Sequence, residues 1–200
     1  MVKFNKNDYL NICSFSDAPW YDECPIEVCD NWRNFNGYNV PLEDLMRIIY
    51  NAIDNGYTVL WGGDVSEKGF TRQGIGVALK PEKKVKAGSD QEHWVGKDTE
   101  KKDTTAAAKL PEEIAEVTDS LRLDAYNRKM TTDDHGMHIY GYATDQNGTK
   151  YFMVKNSWGE NNKYKGTWYM SEKFIAFKTL NIAIHKDALP KDLKKKLNVK

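Results

Sequence analysis

Hydrophobic and polar positions change their spacing several times along the 200-residue chain, and each change marks an element. Residues 1–40 hold no lasting period of two or 3.6. Their aromatic residues (Phe15, Trp20, Tyr21, Trp32, Phe35 and Tyr38) are scattered and punctuated by Pro19 and Pro25, which predicts a long packed loop with short strands. A helical stripe then follows Pro41: Leu42, Leu45, Met46, Ile49 and Ile53 share one face, with Glu43 and Asp44 in the first turn. Asn39 is the candidate cap, and Asn55-Gly56 marks the end. Tyr57–Trp61, rich in β-formers, reads as a strand. A second helix is predicted from Pro111 and the two glutamates after it to about Lys129, with a break point near Thr118.

The strongest local signal comes next. Met137–Thr144 and Lys150–Lys155 read as two strands joined through Asn147-Gly148, a dipeptide suited to a type I′ turn with φ > 0 at both central residues. Folding about that turn sets position 156 opposite roughly position 139, so His135 lies a few residues beyond Asn156 at the same end of the ribbon. At 3.3 Å per residue the offset is on the order of 13 Å, too long for a hydrogen bond without a bend or bulge. Gly136 is the position suited to one. Two more strands, Gly166–Met170 and Leu180–His185, and a short basic helix over Leu189–Leu197 complete the pattern. The fold class expected is α+β: one domain, residues 1–200, with an antiparallel sheet or open barrel and packed helices.

Composition narrows the function classes. The chain is long enough for one real core, and six tryptophans point to a globular domain. Twenty-nine basic and twenty-nine acidic residues leave no net charge, so nothing biases it toward nucleic acid or a membrane surface. No run reaches the length of a membrane span, and MVKFNKNDYL has no apolar signal core. Residues 80–109 interleave lysines with acids around Gly88, Ser89 and Ala106–Ala108, and read as an exposed charged insertion.

The candidate chemistry lies at the hairpin's open end. An imidazole and an amide on one ribbon are two-thirds of a cysteine-peptidase triad, in which the amide orients the base that activates a thiolate. His135 is the candidate base, Asn156 the orienting amide and Trp158 the shield that keeps water from their hydrogen bond. A metal site at Asp133, Asp134, His135 and His138 is the competing reading. His-x-x-His on a strand points its rings to opposite faces, however, and the site residues imply no metal and no cofactor. His93 and His185 sit in no motif. Cys24 and Cys29 show no zinc or redox spacing and read as reduced packed thiols, with a Cys24–Cys29 disulfide open to an oxidising compartment.

These residues carry a family resemblance. Asp134-His135-Gly136-Met137 and Val154-Lys155-Asn156-Ser157-Trp158-Gly159 resemble the His and Asn blocks of papain-like cysteine peptidases. Val59-Leu60-Trp61-Gly62-Gly63-Asp64-Val65, Ile182-Ala183-Ile184-His185-Lys186 and Leu189-Pro190 are similar to segments of the bleomycin hydrolase and aminopeptidase C branch. The likeness runs from about Tyr9 to Lys200. It implies a cysteine aminopeptidase that hydrolyses N-terminal peptide bonds of a peptide substrate, with no cofactor, in homo-oligomers (hexamers in the resembled branch). It implies a cytoplasmic location for most members and leaves an exported form open. It implies that the C-terminal arm Leu197–Lys200 lies in the active-site cleft.

The family's cysteine block is not matched. Cys13-Ser14-Phe15 shares part of it, but Pro19 follows too closely for the long helix a family thiol would start, and no glutamine precedes it. The chain therefore reads as the C-terminal half of the papain-like fold, supplying the base, with an N-terminal helical half as the partner that carries the thiol. The reading from another class is a papain-like binding module without a nucleophile.

Overall fold

The computed structural model describes residues 5–28, 31–79 and 113–199. The charged insertion at 80–109, the start of the second helix at Pro111, His93, Cys29 and Lys200 lie outside the described residues.

Among the described residues the frame is one ten-stranded sheet. Its strands are β1 Tyr9–Cys13, β2 Glu23–Pro25, β3 Asn36–Asn39, β4 Val59–Gly63, β5 Phe70–Thr71, β6 Ile75–Gly76, β7 His135–Thr144, β8 Lys150–Lys155, β9 Thr167–Ser171 and β10 Thr179–His185. They lie in the order β2-β3-β1-β10-β4-β7-β8-β9-β6-β5. Pairing is antiparallel except between β1 and β3 and between β6 and β9, which run parallel. The sheet stays open, with β2 and β5 at its edges.

Alternation along the central strands puts Val59, Trp61, Met137, Ile139, Phe152, Val154, Ile182 and Ile184 into the core, while Leu60, His138 and Tyr140 face outward. Helix α1, Leu42–Asp54, packs Leu45, Ile48, Ile49 and Ala52 on the inner face, as its apolar stripe predicts. Its cap is not Asn39. That amide is fully buried and bonds Phe15 N and the carbonyls of Phe15, Ala18 and Pro19, so it staples the N-terminal loop. The helix start is served from a distance instead, by Asp119 Oδ1 accepting from Leu42 N at 3.2 Å.

Helix α2, Asp119–Asn127, is shorter than predicted, because Thr118 ends the preceding extended segment and caps Leu121 N at 3.2 Å. Residues 113–118 are not helical; Glu113 bridges to Leu79 and accepts from Ala78 N at 3.1 Å. Helix α3, Glu172–Lys178, is not announced by the hydrophobic pattern of the chain. Phe174, Ile175, Ala176 and Phe177 are all buried, so no polar face reveals a helical period. Helix α4, Lys191–Lys196, ends in a C-cap in which Asn198 has φ +52° and Val199 N donates to Lys194 O at 3.0 Å. Leu197 is buried and Val199 packs on the core, so the tail through Val199 is a packed helix cap and not an extended arm.

The β7–β8 hairpin differs from expectation in two ways. Only Gly148 has positive φ, +82°, so the turn is not type I′. Asp145 instead closes a three-residue loop: its carbonyl accepts from Gly148 N at 3.1 Å, and its Oδ1 accepts from Asn147 N and Thr149 N at 2.8 Å each. The pairing also slips between Ile139 and Gly141, leaving Tyr140 as a bulge. Loop and bulge each move the register by one residue, so Lys155 pairs with His138 and position 156 falls opposite 137 rather than 139. Gly136 is not the bulge; it pairs regularly with Gly62.

Candidate active site

His135 opens β7 and pairs with Gly63 on β4. Asn156 is the first residue beyond β8 and is held by its own amide, which donates to Gly166 O at 3.1 Å. The two side chains meet: His135 Nε2 lies 2.9 Å from Asn156 Oδ1. The corrected register leaves them two residues apart, about 7 Å along the ribbon, a gap their side chains span.

One further bond sets the chemistry of this pair. Asn156 Oδ1 also accepts from Ser157 N at 2.7 Å. A backbone N–H needs an acceptor, so it fixes which end of the amide is oxygen. His135 Nε2 must then be the donor to that oxygen, and the lone pair of the neutral ring sits on Nδ1. Asn156 is 3% exposed, and its Nδ2 has no hydrogen-bond partner among the described residues.

Trp158 packs against the imidazole. Its ring centroid lies 4.8 Å from that of His135. It stands edge-on to Phe70 at 6.0 Å and to Trp168 at 5.8 Å, and those two rings stack on each other at 5.5 Å. Trp168 is fixed by its Nε1 donating to Thr71 O at 2.9 Å. The short strand β5 thus brings in Phe70 and the Thr71 carbonyl as supports that no motif announces.

The other acidic and histidine candidates disperse. His138 faces outward three residues along β7 from His135, and among the described residues no group of three or more His, Cys, Asp or Glu side chains is arranged to hold a metal. Asp134 turns back to accept from Val65 N at 2.9 Å and Ser66 N at 3.2 Å. Burial, with the Asp64 carboxylate beside it, pushes its carboxyl up to about 6.

The described cysteines lie elsewhere. Cys13 and Cys24 are buried with their sulfurs 3.5 Å apart, and Cys13 Sγ also faces Tyr38 O and Asn39 Oδ1. Cys13 aligns across the sheet with Asn181, Gly62 and then Gly136. Three strand spacings, about 14 Å, therefore separate it from β7. Burial, and then the neighbouring Cys24, push the Cys13 thiol well above the usual thiol range; burial also raises Cys24. A thiol held protonated is the reverse of an activated nucleophile. Beside His135 the outer face of the sheet opens into a groove of about 350 Å³ over Gly62, Gly136, Leu60, Asn181, Ala183 and Asn11. Asn11 and Asn181 sit in no motif, and only the strand order brings them to this site.

The chain matches the model of the Peptidase C1-like family over residues 77–200. Aminopeptidase C of Lactobacillus helveticus is 27% identical over 184 residues, covering 90% of this chain and 35% of that protein. Thiol protease SEN102 of Hemerocallis sp. is 63% identical over 27 residues, 14% of this chain and 8% of its own. The crystal structure of PepW from Lactobacillus rhamnosis shares the fold at a TM-score of 0.66 and 17% identity, covering 98% of this chain and 39% of that one. The chain spans about a third of the length of the aminopeptidase C it matches. No helix among the described residues is long and apolar enough to cross a membrane.

Proposed function

The chain belongs to the Peptidase C1-like family of papain-like cysteine peptidases, and from that premise we propose that it carries the base side of a cysteine aminopeptidase, with His135 as general base and Asn156 as its orienting amide. The observation that supports this reading is the 2.9 Å contact from His135 Nε2 to an Asn156 oxygen whose orientation Ser157 N fixes. The donated Nε2 proton leaves Nδ1 as the acceptor for a thiol proton. In the proposed cycle Nδ1 takes that proton, the thiolate attacks the peptide carbonyl, and the imidazolium returns the proton to the departing amine. Water then enters with the same base and hydrolyses the acyl-thioenzyme. The substrates of the family are peptides. The restriction to N-terminal residues rests on the resemblance to aminopeptidase C.

The thiol is assigned to residues other than Cys13 and Cys24, on a helical half of the fold. The strand spacing between Cys13 and β7, and the raised thiols of both, support that assignment. The test is to incubate the 200-residue chain with a covalent epoxide inhibitor of thiol peptidases and map adducts by mass spectrometry. No stoichiometric adduct on Cys13, Cys24 or Cys29 is expected; rapid complete labelling of Cys13 would overturn the assignment.

A further inference from the structure

A lysine is almost never fully buried unless paired. Lys178, the last residue of α3, is 4% exposed. Its Nζ donates to Met130 O at 2.7 Å and Thr131 Oγ1 at 3.1 Å, lies 3.5 Å from Asp64 Oδ2 and contacts Glu67 Oε1. Asp64, 2% exposed, accepts from Ser66 N and Ser66 Oγ at 2.9 Å each and from Thr132 N at 3.2 Å. Asp134 accepts from the same Ser66 amide. Two carboxylates therefore share one N–H, with an ammonium behind them.

These bonds join three segments: 63–67, 130–134 and the end of α3. The first supplies Gly63, the strand partner of His135; the second runs directly into His135. Asp64 N donates to Lys178 O at 3.2 Å, which closes the triangle through the backbone. We propose that Lys178 is a positioning residue for His135: its ammonium ties the 63–67 and 130–134 segments together and so sets the entry of β7 that delivers the imidazole to Asn156. This rests on His135 being the base, and it adds a residue that lies on a different element from both His135 and Asn156.

A buried lysine that merely filled space could be replaced by an apolar chain of equal length without electrical consequence. Here two carboxylates, Asp64 and Glu67, face one ammonium, Asp134 stands beside Asp64, and Lys68, Asp133 and His135 lie on the flanking segments. Asp134 titrates at about 6, and burial raises Glu67 against the pull of Lys178. Removing the ammonium must push the Glu67 titration further up, since Lys178 is what pulls it down.

The experiment is an NMR titration of the isotope-labelled 200-residue chain, as wild type, Lys178→Met and Glu67→Gln, from about pH 4.5 to about pH 8. In the wild type the Val65 and Ser66 amides report Asp134 with a midpoint near 6. In Lys178→Met the Glu67 carboxyl titration is expected to move up, because the ammonium that lowers it is gone, and the His135 ring resonances to shift. In Glu67→Gln, which keeps Lys178 but removes one of its ion pairs, the His135 ring resonances are expected to shift as well. A folded Lys178→Met chain with wild-type Glu67 titration and wild-type His135 resonances would overturn the proposal. If Lys178→Met does not fold, unmoved His135 resonances in Glu67→Gln overturn it. The titration reads the coupling without activity, so its failure leaves the role of His135 standing, whereas an active His135→Ala peptidase would remove that role with the coupling intact.

Discussion

At the scale of single residues, the Ser157 N–H decides what His135 can do, because it turns the Asn156 amide and thereby the imidazole tautomer. Asn156→Ala removes both accepted bonds, but it also removes a buried Nδ2 that has no partner. Its stability cost should fall at the low end of the ~1–3 kcal/mol for an orphaned buried group, while kcat/KM falls about ten- to a hundredfold. Urea unfolding and steady-state kinetics check the two together; a large stability loss with unchanged kcat/KM would make Asn156 structural.

Asp134 carries a separate pH signature. Its carboxyl is raised to about 6, first by burial and then by Asp64. The folded chain therefore holds that proton more tightly than the unfolded chain does. This favours folding at low pH, and the contribution is lost as pH rises from about 4 through about 6. Asp134→Asn abolishes the titration, so its stability relative to wild type should improve as pH rises across that window. Unfolding free energies measured pH by pH test this; a gap that is constant or widens contradicts it.

At the scale of elements, β4 and α3 meet at a point with no room for a side chain. A Cβ at Gly63 would collide with the Lys178 carbonyl oxygen and approach the Trp61 ring at 2.5 Å. The carbonyl is backbone and cannot turn aside, so Gly63→Ala should cost about 2 kcal/mol and disturb the pairing with His135. A chevron or equilibrium unfolding curve matching wild type would show that the junction yields.

The elements also show what the chain discloses by itself. The α1 stripe and both hairpin strands were legible, because period and turn residues act locally. The contact of His135 with Asn156 was legible only as a pair of blocks. The Tyr140 bulge that helps bring them together has no local signature, since a tyrosine fits a strand and a bulge equally well. Helix α3 was hidden because both of its faces are buried, and the true cap of α1 because Asp119 is seventy-seven residues away. The Lys178 cluster was invisible for the same reason, as its parts come from three distant segments.

At the scale of the whole molecule, the open outer face is the feature with consequences. Leu60, 55% exposed, lines the groove beside His135, and Tyr140 stands 39% exposed farther along the outward side of β7. If the helical half of the fold covers this face in the working peptidase, the isolated 200-residue chain should self-associate as concentration rises and bind a hydrophobic dye. A compact, dye-free monomer across the concentration range in sedimentation would count against that cover.

The central claim is that His135, presented by β7 and oriented by Asn156, is the base of a cysteine peptidase. The measurement that tests it most directly is kcat/KM of His135→Ala in a peptidase containing this chain together with its thiol, with circular dichroism to confirm the fold. General-base removal predicts a loss of about a hundredfold to ten-thousandfold with the fold retained. Wild-type turnover in a folded His135→Ala enzyme would contradict the account.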